Sequence, residues 1–114
     1  MNKNSKIYLA GHRGLVGSAI LQKLQEKGCC KIVVRTHAEL ELTCQADVEH
    51  FFQGEKPDVV ILAAAKVGGI GANSRYPADF IYENLAIALN VIEAARKYNI
   101  EKLINLGSSC IYPR

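Results

Sequence analysis

Short runs of consecutive apolar residues alternate along this chain with longer segments whose apolar positions recur every three or four residues. The first short run, residues 6–10 (Lys-Ile-Tyr-Leu-Ala), reads as a strand. Leu15, Val16, Ala19, Ile20 and Leu24 then follow at helical spacing, with Gly28 as a C-terminal stop. Residues 31–35 (Lys-Ile-Val-Val-Arg) form a β-branched run, and the segment 45–53, carrying Val48, Phe51 and Phe52, has a helical pattern. Pro57-Asp58 punctuates the chain before Val59-Val60-Ile61-Leu62, a continuous apolar run of the kind a parallel strand needs when both its faces are covered. After a glycine-rich loop at 67–71, Pro77 can open a long helix whose expected buried stripe is Ile81, Leu85, Ala88, Leu89, Ile92 and Ala95, with Asn99 as its stop. Residues 102–106 (Lys-Leu-Ile-Asn-Leu) read as a fourth strand.

Between the first strand and first helix lies Leu9-Ala10-Gly11-His12-Arg13-Gly14-Leu15-Val16-Gly17, three glycines in a G-x-x-G-x-x-G spacing. Such a turn reverses the chain sharply, lets the backbone approach a pyrophosphate and packs the helix tightly on the sheet, while the helix N-terminus offers free N–H donors to the phosphates. Many oxidoreductases share it, so it indicates a dinucleotide without indicating a reaction. Strands alternating with helices of these lengths favour right-handed crossovers, and hence an α/β, doubly wound parallel sheet. The expectation is an incomplete NAD(P)-binding Rossmann fold of about four strands filling residues 1–114, without a substrate domain. In the usual 3-2-1-4 order the first and fourth strands are neighbours at the switch point, which brings residues 107–112 to the same crevice as the glycine turn.

Length adds a constraint: 114 residues suffice for one core but are few for an enzyme that binds both a dinucleotide and a second substrate. A 49% apolar fraction, 22% charged residues and a formal charge of +3 describe an ordinary globular protein, with too little basic excess to point to nucleic acid. No apolar stretch reaches the roughly 18 residues needed to span a bilayer, and residues 1–6 lack the apolar core of a signal peptide, so a cytoplasmic location without membrane contact is expected. The four cysteines, at 29, 30, 44 and 110, show neither C-x-x-C nor a His at metal-ligand spacing, so no metal site is expected. Cys29 and Cys30 read as small apolar residues at the start of a strand.

The end of the second strand bears on the choice of dinucleotide. An NAD site normally carries Asp or Glu there to hold the ribose 2′-hydroxyl, whereas this chain reads Arg35-Thr36-His37. Together with Arg13 inside the turn, these residues make a cationic setting that favours a 2′-phosphate, and so NADP. Glu39 is the counterweight, since a small shift of the loop would bring it to a ribose; a solvated strand end is the plain alternative for Arg35 and His37.

Four segments together resemble the extended short-chain dehydrogenase/reductases, in particular those that act on GDP-sugars: Ala10-Gly-His-Arg-Gly-Leu-Val-Gly-Ser-Ala19, Leu62-Ala-Ala-Ala-Lys-Val-Gly-Gly-Ile70, Tyr76-Pro-Ala-Asp-Phe-Ile-Tyr82 and Gly107-Ser-Ser-Cys-Ile-Tyr-Pro113. The resemblance runs over essentially the whole chain, and the second and fourth segments are its specific part. It implies a GDP-sugar substrate, a GDP-4-keto-6-deoxymannose epimerised at C3 and C5 and then reduced at C4 by NADPH. It also implies a homodimer paired through long helices that include the counterpart of residues 77–98.

By family position, Ser108 would hydrogen-bond the 4-keto oxygen and Cys110 would be an acid/base for epimerisation, a role open to a thiol whose pKa lies near neutrality. The cofactor set implied is Gly11, His12, Arg13, Gly14, Leu15, Val16, Gly17, His37, Leu42, Ala63, Ala64, Lys66, Leu106, Gly107, Ser108 and Ser109, with Leu42 where the family packs on adenine. On residue type alone, Ser108 or Ser109 could cap a turn, Cys110 could be a buried small residue and Lys66 an exposed lysine. Asn84 matches a family helix position near the site and could equally face solvent.

The family's catalytic Tyr-x-x-x-Lys pair, expected beyond the fourth strand, is not among these 114 residues: Tyr112 is followed only by Pro113 and Arg114, and the one match to the spacing, Tyr98 to Lys102, falls between the long helix and the fourth strand. The expectation is an amino-terminal portion of such an enzyme, inactive by itself, with its fourth strand an aggregation-prone edge carrying Leu103, Ile104 and Leu106. A stand-alone dinucleotide-binding module without catalysis, or another nucleotide-sugar epimerase or dehydratase, are the alternatives; Cys110 disfavours the last.

Overall fold

A computed structural model of the chain describes residues 3–63 and 77–106, with side chains of the second stretch from residue 82 onward. The elements run β1 (Ile7–Ala10), α1 (Leu15–Glu26), β2 (Ile32–Val33), α2 (Gln45–Glu55), β3 (Val59–Leu62), α3 (Pro77–Lys97) and β4 (Lys102–Asn105). Every element expected from the pattern is present. β2 is shorter than its apolar run because only Ile32 and Val33 pair with β1, opposite Ile7 and Tyr8. Asn99, at a φ of +54°, lies two residues past the end of α3 in the left-handed conformation that Asn tolerates at such stops.

All strand pairs are parallel and the order is β2-β1-β3-β4. This corrects the expected adjacency of the first and fourth strands: β1 lies between β2 and β3, and β4 is one strand further out, paired only with β3 among the described residues. Composition supplies the reason for the central pair: β1 and β3 are apolar and buried along their whole length, as a strand covered on both faces requires. Leu103 and Ile104 are half-buried against the two core clusters, so this edge is less bare than its sequence suggests; Leu106 is the exposed one.

Alternation along the two central strands divides the core. Ile7, Leu9, Val59 and Ile61 face α1, meeting Leu24 and the half-buried Ile20 and Leu21. Tyr8, Ala10, Val60 and Leu62 face α2 and α3, meeting Val48, Phe51 and Phe52 from α2 and Ile87, Val91, Ala94 and Ala95 from α3. Helices therefore cover both faces of the sheet, as a doubly wound fold requires.

The face that α3 buries differs from the expected one. Ala88 and Ala95 turn inward, but Leu85, Leu89 and Ile92 are 56%, 63% and 41% exposed, and Tyr82 beside them is 74% exposed. Ile81 lies among the residues whose side chains are not described. α1 shows the same effect: Gly17, Ile20, Leu21 and Leu24 make its inner face, while Leu15 and Val16 point outward.

Candidate functional site

A crevice of about 140 Å³ opens at the carboxyl ends of β1, β2 and β3. Strand order places it there: β1 and β2 lie to one side of the reversal and β3 and β4 to the other, so the loops leaving β1 and β3 part and leave a gap. Backbone bonds continue the parallel pairing just past the strand ends, with the Ala63 N–H donating to Ala10 O at 2.9 Å and the Leu106 N–H to Leu62 O at 3.0 Å.

The three glycines of the turn have three different reasons to be glycine. Gly11 has a φ of +86°, where a side chain is strained. A Cβ at Gly17 would stand 1.8 Å from the Gly11 carbonyl oxygen, so the helix can pack this closely only without one. Gly14 has an ordinary φ of −77°, and a Cβ there would meet nothing nearer than 3.5 Å. Nothing within the described structure demands glycine at 14, which leaves approach from the open side as the reason for its bareness. Gly14 is also the N-cap of α1; no side chain caps this helix, and its first turn carries no acidic residue. Its leading N–H groups are therefore available to an anion.

Gly11, His12, Arg13, Gly14, His37, Leu42 and Ala63 line the crevice. Leu15 and Val16 are exposed beside its mouth at the start of α1, and Gly17 holds the helix against the turn without lining it. Leu106 stands exposed at the end of β4 and is not among the lining residues. Ala64, Lys66, Gly107, Ser108, Ser109 and Cys110 lie outside the described residues. Asn84 is half-buried on α3 and has an interaction partner.

The remaining lining residues are Tyr8, Arg35, Thr36, Leu40 and Ile87. Arg35 and Thr36 belong to the cationic strand end already singled out. Tyr8, Leu40 and Ile87 carry no local signal: each looks like a core residue, and each is at most 6% exposed. Burial pushes the Tyr8 phenol well above its ordinary value, only partly countered by the Arg35 charge, so it remains neutral. The wall made by Leu40 and Leu42 is fixed from behind, because the Asn90 side-chain amide on α3 donates to Leu42 O at 2.9 Å.

Glu39 is settled by its hydrogen bonds. The Thr36 N–H donates to its carboxylate at 2.8 Å, and the Glu39 N–H returns a bond to the Thr36 hydroxyl at 3.3 Å. Those bonds to Thr36, backbone first and then side chain, hold the carboxyl below its usual range. The group is committed to its own turn and lines a separate groove with Asp47, His50 and Glu55. The crevice rim is thus left to Arg13, Arg35, His12 and His37, with no carboxylate among its lining residues.

A parallel α/β sheet with a glycine turn, an uncapped helix N-terminus and a cationic rim at its switch point defines a dinucleotide-binding protein. The model of the NAD dependent epimerase/dehydratase family matches residues 7–114, and the chain belongs to that family. Over 99% of its length it is 65% identical to GDP-L-fucose synthase 1 of Arabidopsis thaliana, and over 96% it is 53% identical to the GDP-L-fucose synthase of Escherichia coli. Among solved structures, a GDP-mannoheptose C4 reductase from Campylobacter jejuni with NADP bound superposes on 99% of the chain with a TM-score of 0.91, at 46% identity. The chain spans about a third of each of these relatives: 35%, 34% and 36% of their lengths.

Proposed function

We propose that these residues are the amino-terminal, cofactor-binding part of an NADP-dependent epimerase-reductase that converts GDP-4-keto-6-deoxy-D-mannose to GDP-L-fucose. The observation that carries this reading is the 65% identity, spread over nearly the whole chain, to a GDP-L-fucose synthase. The crevice fits NADP on its own chemistry. Gly14 leaves space at a helix N-terminus with no side-chain cap, which suits a pyrophosphate, and Arg13, Arg35 and His37 suit a 2′-phosphate at the far end. Leu40, Leu42 and Ile87 offer an apolar wall for adenine. Gly11, His12 and Ala63 complete the grip on the sheet side, Leu15 and Val16 border it at the mouth, and Gly17 holds the helix against the turn.

When bound, NADPH supplies the hydride for C4. From the family resemblance, Ser108 donates a hydrogen bond to the 4-keto oxygen, and Cys110 moves protons at the carbons flanking that carbonyl. Ala64, Lys66, Leu106, Gly107 and Ser109 belong to the same proposed cofactor set. The protein works in the cytoplasm in this reading; among the described residues no helix is long and apolar enough to cross a membrane. It also works as a homodimer, in which the exposed stripe of Tyr82, Leu85, Leu89 and Ile92 on α3 meets its counterpart.

Assay of the full-length protein with GDP-4-keto-6-deoxymannose and NADPH tests the reading. Cys110→Ser is expected to slow solvent-deuterium exchange at C3 and C5 by about 10²-fold or more. Ser108→Ala is expected to impair the C4 reduction as well. Unchanged deuterium exchange in Cys110→Ser would remove the thiol from the mechanism, and turnover with NADH at the NADPH rate would remove the cofactor assignment.

A further inference from the structure

We propose that Glu55, which does not line the crevice, is a positioning residue that holds Arg35 ready for the 2′-phosphate and thereby sets the preference for the phosphorylated dinucleotide. The inference rests on the NADP reading above and extends it to a residue on another element. Arg35 is fixed on three sides. One terminal nitrogen donates to Val34 O at 2.8 Å, the other pairs with the Glu55 carboxylate at 3.1 Å, and the guanidinium lies over the Phe51 ring, 5.4 Å from its centroid. Glu55 and Phe51 both come from the last turns of α2, so the helix end acts as a bracket for a side chain that lines the crevice.

Glu55 is itself anchored. Lys6, just ahead of β1, pairs with its carboxylate at 2.9 Å and donates to its backbone oxygen at 2.6 Å. The Lys6 backbone is tied in turn to the start of β3, its N–H donating to the Asp58 carboxylate at 2.8 Å and its carbonyl accepting from the Asp58 and Val59 N–H groups. Lys6 also offsets the charge of Glu55. The three groups together carry a net positive charge, so Glu55 can hold Arg35 without making the rim repel an anion. An arginine already held in place loses less side-chain freedom on binding than a mobile one, and that difference is felt only by a ligand that uses it. NADPH, with its 2′-phosphate, is such a ligand; NADH is not.

Titration of the full-length protein with NADPH and with NADH is the test, on wild type, Glu55→Ala, Glu55→Gln, Arg35→Ala and the Glu55→Ala/Arg35→Ala double variant. Glu55→Ala is expected to weaken NADPH by roughly three- to tenfold and to leave NADH within twofold. Glu55→Gln, which keeps an acceptor at the same reach, should recover part of the loss, and Glu55→Ala should change nothing further when Arg35 is already alanine. A fall in stability alone would affect both dinucleotides equally, so the ratio of the two affinities separates positioning from folding. A wild type that prefers NADPH, with a Glu55→Ala ratio that is unchanged or higher, overturns the role of Glu55 alone. A wild type that binds both dinucleotides equally overturns the NADP reading and this inference with it.

Discussion

Gly14 and Gly17 sit three residues apart in one turn, and the structure assigns them opposite costs. An added methyl at 17 collides with the Gly11 carbonyl, a backbone atom that cannot swing away. Gly17→Ala is therefore expected to lose about 1–3 kcal/mol or more of stability in a thermal or urea melt. At 14 the methyl finds ordinary room, so Gly14→Ala should stay within about 1 kcal/mol of wild type. Its effect should fall instead on NADPH affinity, weakened about tenfold or more if the phosphates approach Gly14 as proposed above. Equal stability losses in the two variants would contradict this division. Spacing alone marks the three glycines as one dinucleotide turn, but not which of them serves the chain and which the ligand. Tyr8, Leu40 and Ile87 were illegible at this scale because a residue lining a crevice from the core side has the same apolar identity as any other core residue.

At the scale of elements, the period of apolar residues located every helix and strand, yet it misjudged which side of α3 is buried. That helix carries two apolar stripes, Ile87, Val91, Ala94 and Ala95 against the sheet and Tyr82, Leu85, Leu89 and Ile92 outward. A 3.6-residue period identifies a helix but cannot rank two apolar faces against each other. Charged contacts between elements are equally invisible in one dimension. Glu55 joins the end of α2 to Lys6 and Arg35, and the hydrogen bond from Lys6, helped by both positive charges, holds its carboxyl below the usual range. Glu39 is held low by Thr36. A carboxyl depressed in the folded state contributes stability that is complete above its unfolded value, about 4.3, and is lost as the pH falls through the lower folded value. Melting temperatures should thus be flat from about pH 7 to 5 and fall below pH 4, with a shallower fall in Glu39→Gln. A pH-independent melting temperature down to pH 3 would mean that these bonds do not survive in solution.

For the whole molecule, the exposed stripe on α3 and the strand order carry the consequences. Four large side chains spaced 3, 4 and 3 residues apart, each 41% to 74% exposed, form the kind of continuous apolar face that a helix uses to pair with another. If the proposed homodimer pairs through this stripe, Leu89→Asp in the full-length protein is expected to give a monomer in sedimentation, with little change in NADPH affinity, since Leu89 does not line the crevice. A dimer that persists at micromolar concentration with Asp at 89 would place the interface elsewhere. Strand order is the larger lesson. The β1–β4 adjacency expected from a generic topology was wrong: the wholly apolar and buried β3 takes the place beside β1, and β4 pairs with β3.

By itself, the amino-acid sequence determined the kinds of element, their order, the parallel α/β class and the glycine turn, because these depend on local periodicity and on backbone demands a few residues long. It also settled family membership. Tertiary structure alone decided which strand lies beside β1, which face of α3 is covered, that Glu39 is spent on Thr36, and that Arg35 is held by a carboxylate 20 residues away. Apart from the Thr36–Glu39 turn, whose partners are only three residues apart and whose geometry the sequence leaves open, these outcomes depend on which surfaces and charges meet when distant segments compete for the same neighbours, and no short window along the chain contains both competitors.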